Sequence, residues 1–186
     1  MPGFPVFRET HGSNRILAPP VTDERTLVRY RDRLPSSLLE EWRISGWAGF
    51  QQGFLWLTDP SVLEPGVRPW KLERPALCFG RTAFGDLFLW DGGAVQGLFV
   101  HEGSLQRMTD SFDMFFELSL CDDDFLEDVL DKAMFEDALE RLGPLTSGEM
   151  YTFVPAPALG GEKSVDSLQK VKMREQLLLL SQLHAK

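Results

Sequence analysis

The sequence predicts an α+β fold, a central antiparallel sheet flanked by helices from both ends of the chain. Three observations predict it. Short aromatic and aliphatic runs in the middle of the chain are separated by turn residues. On either side the apolar residues recur at helical spacing. The size and composition, 186 residues with 43% hydrophobic and 25% charged, suit one ordinary domain or two small lobes sharing a core. With 14 Phe and 5 Trp against only 2 Tyr, few aromatic groups need a hydrogen-bond partner, so the interior is expected to be dry.

Residues 1–20 are rich in Pro, Gly and Asn and are expected to form an irregular arm. Thr22 and Asp23 are placed to cap a helix through about Arg33. Pro35 starts a second helix over 36–44, where Leu38, Leu39 and Trp42 form one apolar stripe, and Gly46 stops it. The run from Phe50 to Leu57 predicts a strand or two with a turn between. Residues 60–75 predict a loop-rich passage with one or two short helical turns. Residues 77–81, 87–90 and 95–101 predict three further strands. Asp91-Gly92-Gly93 is a hairpin signal, and Ala83-Phe84-Gly85-Asp86 a second turn. After Gly103 the pattern becomes helical. Phe112, Phe115, Phe116 and Leu120 fit one face. Phe125, Leu126, Val129, Leu130, Ala133 and Met134 fit a second. Phe135, Ala138, Leu139 and Leu142 continue it or form a third, ended by Gly143-Pro144. Residues 151–154 predict one more strand, and Ser164 is expected to cap a final helix to about Leu183. The expected organisation is an α+β domain over 1–107 with a mainly helical domain over 108–186 packed on it.

Charge limits the partners. The formal net charge is -9, which disfavours direct nucleic-acid binding because phosphate neutralisation needs clustered Lys and Arg. It suits a basic protein partner. The two cysteines, Cys78 and Cys121, show no CxxC spacing and read as buried free thiols in a reducing compartment. No basic-then-apolar leader is visible at the N-terminus, and the run 177–180 is too short to span a bilayer, so a cytoplasmic location and no membrane partner are expected.

Few residues form a chemical motif. His11, His101 and His184 are scattered, and His101-Glu102 reads as a polar hairpin end. There is no GxSxG elbow. Gly160-Gly161-Glu162-Lys163-Ser164 fails the phosphate-loop pattern, since Glu162 stands where Gly must precede Lys; it reads as a turn leading into a helix. Asp122-Asp123-Asp124 lacks the central Gly of a calcium loop and reads as the N-terminus of a helix. The sequence therefore assigns no catalytic residue, no metal and no cofactor.

The charge distribution is more informative. Twelve acids lie between Asp110 and Glu140: Asp110, Asp113, Glu117, Asp122, Asp123, Asp124, Glu127, Asp128, Asp131, Glu136, Asp137 and Glu140. Lys132 alone opposes them, and the rest of the chain holds 18 basic and 16 acidic residues. A solvated helix usually mixes signs so that i,i+4 pairs form. A face of one sign repels itself, which is tolerable when a cationic partner is its purpose.

The segment Phe79-Gly80-Arg81-Thr82-Ala83-Phe84-Gly85-Asp86-Leu87-Phe88-Leu89-Trp90-Asp91-Gly92 resembles the core of the GAD-like immunity proteins of bacteria. Leu34-Pro35, Trp42, Gly46 and Gly53-Phe54-Leu55-Trp56-Leu57 fit the same pattern upstream. Phe115-Phe116, Leu142-Gly143-Pro144-Leu145 and the stretch from Tyr151 to Gly161 resemble the companion C-terminal domain. The resemblance implies a cognate antidote to a type VI secretion effector, notably a DNase toxin of the HNH or GHH type, acting as a stoichiometric inhibitor and not as an enzyme. It supplies no catalytic residues. It implies structural roles for Phe84, Phe88 and Trp90 in the core, and for Arg81 and Asp86, which bracket a turn and are placed to pair across it. The expected partner is a basic nuclease toxin domain, and the expected contact residues are Asp122, Asp123, Asp124, Glu127, Asp128 and Asp131. Two other classes share these features: a regulatory module for a different bacterial partner, and an enzyme using Arg81, Asp86 and His101 in a cleft between the two halves. Genome context separates the first, because an immunity gene sits beside its toxin gene; a bound ligand in the cleft would mark the second.

Overall fold

The computed structural model describes residues 3–13, 15–18 and 22–185. Parts of the expected N-terminal arm, at 1–2, 14 and 19–20, lie outside the described residues. The elements in chain order are α1 (Pro5–His11), β1 (Ile16–Leu17), α2 (Glu24–Val28), α3 (Ser36–Ser45), β2 (Ala48–Phe50), β3 (Leu55–Leu57), α4 (Pro60–Val67), β4 (Leu77–Thr82), β5 (Leu87–Trp90), β6 (Val95–Phe99), β7 (Ser104–Thr109), α5 (Phe112–Glu117), α6 (Asp123–Asp128), α7 (Lys132–Leu142), β8 (Glu149–Phe153), β9 (Leu168–Lys172) and α8 (Met173–Leu183). Strands β1 to β7 form one antiparallel sheet in sequence order, and β8 pairs antiparallel with β9. The α+β architecture expected from the sequence is the one observed.

The sheet is covered on both faces, and the pleat sorts the residues. Along β4 and β5, Phe79 and Phe88 point into one core with α1, α3 and α5, whereas Cys78, Leu87 and Leu89 point into another with α4 and α8. This explains why these strands read as nearly unbroken apolar runs. The first core crosses the seam near residue 107: Phe79 and Phe112 lie 4.8 Å apart, and Phe84 and Phe153 stack at 6.4 Å. The Asp91 carboxylate accepts from Gly93 N and Ala94 N, closing the β5–β6 hairpin. The β4–β5 turn needs glycine. Gly85 has φ +84°, and a Cβ there would lie 2.4 Å from Met150 Cε. That close approach lets the turn sit directly against β8.

Three expectations are corrected. The N-terminal arm is not irregular: α1 starts with Pro5 in its first turn, where the missing N–H is harmless, and buries Phe7 and His11. Phe4 stacks on Phe116 at 4.1 Å, a contact of about 1 kcal/mol beyond its buried area. The buried Glu41 carboxylate accepts from Phe4 N and Arg8 Nη1, tying the arm to α3. The stretch after Gly103 is not helical at once, because β7 pairs with β6 along its length. The segment after Ser164 enters the helix only at Met173; Leu168–Lys172 is first drawn into a ladder with β8.

Two more elements differ in extent. Asp23 caps α2 through Thr26 N at 2.7 Å as expected, but the helix ends at Val28 and continues as turns. The passage after residue 60 holds a two-turn helix, α4, with Asp59 as its N-cap.

Candidate partner-binding site

The six acids expected to face a partner lie on and between α6 and α7, and the structure gives them different jobs. Asp122 is the N-cap of α6, its carboxylate accepting from Asp124 N at 2.9 Å and Phe125 N at 3.3 Å, a contact of about 1 kcal/mol. Asp123 pairs with Lys132 at 3.3 Å. Glu127 accepts from Ala133 N at 3.1 Å and so satisfies the start of α7, where Asp131 gives no side-chain cap. The carboxylates of Asp124 and Asp128 are exposed and have no protein partner among the described residues. Asp131 breaks the helical path with φ +58°, a conformation that only Asn and Asp adopt with any ease outside glycine. It lies in the three-residue break, 129–131, between α6 and α7.

Others of the twelve acids are also engaged internally. Glu117 accepts from Val6 N at 3.2 Å, and Asp110 pairs with Arg107. Glu136, Asp137 and Glu140 remain exposed along α7. The face that reaches solvent unpaired therefore centres on Asp124, Asp128, Asp131 and the outer side of α7.

Asp128 and Asp131 also rim a cavity of about 360 Å³ at the seam. Its other walls are Phe84 and Asp86 of the β4–β5 turn, Phe99 at the end of β6, His101 and Glu102 of the β6–β7 turn, Ser104 and Gln106 of β7, Val129 after α6, and Phe153 and Lys163 from the C-terminal part. Asp86 is buried and accepts from Val100 N at 3.0 Å and from the Thr82 hydroxyl at 3.3 Å. Burial pushes its carboxyl up to about 6, these hydrogen bonds oppose the shift, and the Asp131 charge adds to it. Burial likewise raises Asp131, with Glu127 contributing. His101 is 4% exposed. Burial lowers its pKa to about 4, so the ring is neutral at pH 7. Its Nε2 lies 3.1 Å from the Phe84 carbonyl oxygen, which only accepts, so Nε2 carries the hydrogen and Nδ1 keeps its lone pair. No partner meets that Nδ1 among the described residues. Lys163 pairs with Glu102 at the rim.

The expected cross-turn pair of Arg81 and Asp86 does not form. Arg81 lies over the Trp56 ring at 4.7 Å and donates to the Thr82 and Ser147 carbonyls at 3.0 Å. Alternation along β4 carries its side chain away from the turn that holds Asp86. Asp86 and His101 thus share a cavity and Arg81 lies elsewhere. Phe84 and Phe88 are in the core as expected, and Trp90 is half-buried against it.

At the other end of β4 lies a larger groove of about 680 Å³, with Arg33, Arg68, Lys71 and Arg74 on its rim and Tyr30 and Cys78 in its wall. Its sign is opposite to that of the seam cavity. Among the described residues no three His, Cys, Asp or Glu side chains are grouped to hold a metal ion. No described helix is long and apolar enough to cross a membrane. Cys78 is buried and Cys121 half-buried, and both are free.

Residues 9–101, half of the chain, match the GAD-like domain, and the chain belongs to that family. Residues 109–184 match the C-terminal region of the type VI secretion immunity protein Tdi1, so the chain is a type VI secretion immunity protein of the GAD-like kind. Membership implies an effector toxin as its partner. No curated protein matches it. In fold the chain is similar to the crystal structure of Atu4351 from Agrobacterium tumefaciens, with a TM-score of 0.72 and 20% identity, over 94% of this chain and 86% of that one.

Proposed function

We propose that this protein binds and neutralises a cognate type VI secretion DNase toxin, of the HNH or GHH class that the family resemblance implies, by forming a stoichiometric complex in the cytoplasm. The observation that carries it is the unpaired acidic surface of α6 and α7, present in a chain whose family already has an effector for a partner. A nuclease domain is basic because it must hold a polyanion. An acidic inhibitor therefore fits the toxin's own substrate surface, and complementary charge speeds association and favours the right partner. Tight binding additionally needs a few desolvated anchors. Exposed Met114, Leu118 and Val129 border the acidic surface and offer apolar area for this.

Co-expression with the protein encoded beside it, followed by purification and a DNA-cleavage assay, tests the proposal. A one-to-one complex in which cleavage is silenced is expected. A complex that still cuts DNA, or no complex at all, would remove the antidote function.

A further inference from the structure

The cavity at the seam is acidic: Asp86, Glu102, Asp128 and Asp131 line it against Lys163, with Ser104 and Gln106 as neutral polar groups. Asp86 and Asp131 contribute carboxylates and Asp128 a third at the rim, and the His101 ring forms part of the wall, its buried Nδ1 keeping a lone pair with no partner among the described residues. A buried acceptor without a donor is unfavourable by about 1–3 kcal/mol. The acids outnumber the bases here even after Lys163 has paired with Glu102. What the cavity lacks is positive charge beyond that of Lys163, which Glu102 neutralises. A metal ion does not fit, because no three ligand side chains converge among the described residues. A guanidinium fits better on three counts. It has five N–H donors in a plane and cannot lose its charge. It stacks on aromatic rings, and Phe84 and Phe153 line the cavity. A volume of about 360 Å³ also accepts a long side chain entering from outside.

We propose that this cavity is the receptor for one arginine side chain of the effector, seated between Asp86, Asp131 and the His101 ring; this rests on the immunity function proposed above. The site would fix the register of the complex, while the outer acids of α6 and α7 attract the partner from a distance. It also gives the two halves of the chain a joint purpose. The turn motif supplies Asp86, the β6–β7 turn supplies His101, and the break between α6 and α7 supplies Asp131. Asp131 takes a left-handed backbone in the break between α6 and α7 and lines the same cavity as the other two groups.

The test uses the full chain and a catalytically inactive form of the toxin encoded beside it, with affinity and dissociation rate measured for wild type, Asp131→Asn and Glu73→Gln. Asn tolerates the left-handed backbone, so Asp131→Asn keeps the fold and removes one charge. The expected result is at least a tenfold loss of affinity for Asp131→Asn, seen mainly as faster dissociation. Glu73→Gln, in the distant basic groove, should change affinity less than twofold. A second readout is the ¹⁵N resonance of His101 Nδ1, which should leave the position of an unpartnered ring nitrogen when the complex forms. If wild type binds, Asp131→Asn binds equally well and His101 does not respond, the arginine receptor is wrong and the immunity function stands. If wild type does not bind the toxin, both fall together.

Discussion

The two ends of strand β4 differ in charge and in construction. Leu77 starts the strand beside a groove carrying Arg33, Arg68, Lys71 and Arg74, all exposed and without an ion-pair partner among the described residues. The strand ends about 17 Å further on at Thr82, and the turn at Gly85 beyond it meets a smaller cavity whose Asp86 and His101 are buried and shifted in pKa. One end is a set of solvated cations, the other a set of desolvated acceptors rimmed by solvated acids. A molecule polarised in this way presents its acidic end first to a basic partner. Solvated charge chiefly sets the rate and direction of approach, whereas desolvated groups decide how long the partner stays. The comparison therefore separates the attracting surface from the holding site.

The most severe way to break the comparison is to destroy the turn. Gly85→Val should destabilise the fold by about 3 kcal/mol or more, because it combines positive φ with a clash against Met150. Chemical denaturation would show this as a lowered midpoint, and an unchanged midpoint would mean that the turn is looser than described. Next in size is reversal of the attracting surface. Asp124→Lys, Asp128→Lys and Asp137→Lys together should slow association with the toxin by about 10–100-fold and flatten its dependence on salt. Stopped-flow mixing at two ionic strengths measures both, and unaltered binding would reduce the acidic face to a solvation feature.

The buried pair can be separated by acid. Asp86 rises from 3.8 to about 6 on folding, so between those values the native state holds more protons than the unfolded chain and gains stability as pH falls. His101 falls from 6.5 to about 4, so over nearly the same window the native state holds fewer protons and loses stability as pH falls. The two effects oppose each other in one cavity. Asp86→Asn should therefore lose more stability than wild type between pH 6.5 and 4, and His101→Gln less, each differing in slope by up to about 1.4 kcal/mol per pH unit. Thermal melts across that range would decide, and parallel curves for all three proteins would contradict the burial of these groups. The smallest effect is expected at the far end. Arg68→Glu with Arg74→Glu should alter toxin affinity by less than about threefold, since exposed charges of this kind contribute little.

Much of the sheet was legible from the sequence because its central strands are buried on both faces and punctuated by turn residues. Strand β7 was not. Ser104, Gln106, Arg107 and Thr109 leave it without a clean alternation, and it exists because β6 offers it an unpaired edge. β9 was hidden for a related reason: the apolar residues of Leu168–Lys172, Leu168 and Val171, stand three apart as in a helix, and the apolar helix that follows and the Ser164 cap signal absorbed them. Helix α1 was missed because Pro5 read as a breaker when it is a helix start. The acidic segment stood out in the sequence, yet the sequence could not say that Asp122 and Glu127 serve as caps while Asp128 and Asp131 reach a cavity. Asp86, His101 and Asp131 are each separated by 15 residues or more, and only the β4–β5 turn, the β6–β7 turn and the break after α6 bring them together.

Hydrogen–deuterium exchange on the protein free and bound to its toxin tests the account most directly. It predicts protection concentrated in residues 122–137 and in the turns at 82–86 and 99–104, with the groove at 68–77 unchanged. Protection centred on 68–77, with the acidic helices exchanging as freely as before, would contradict it.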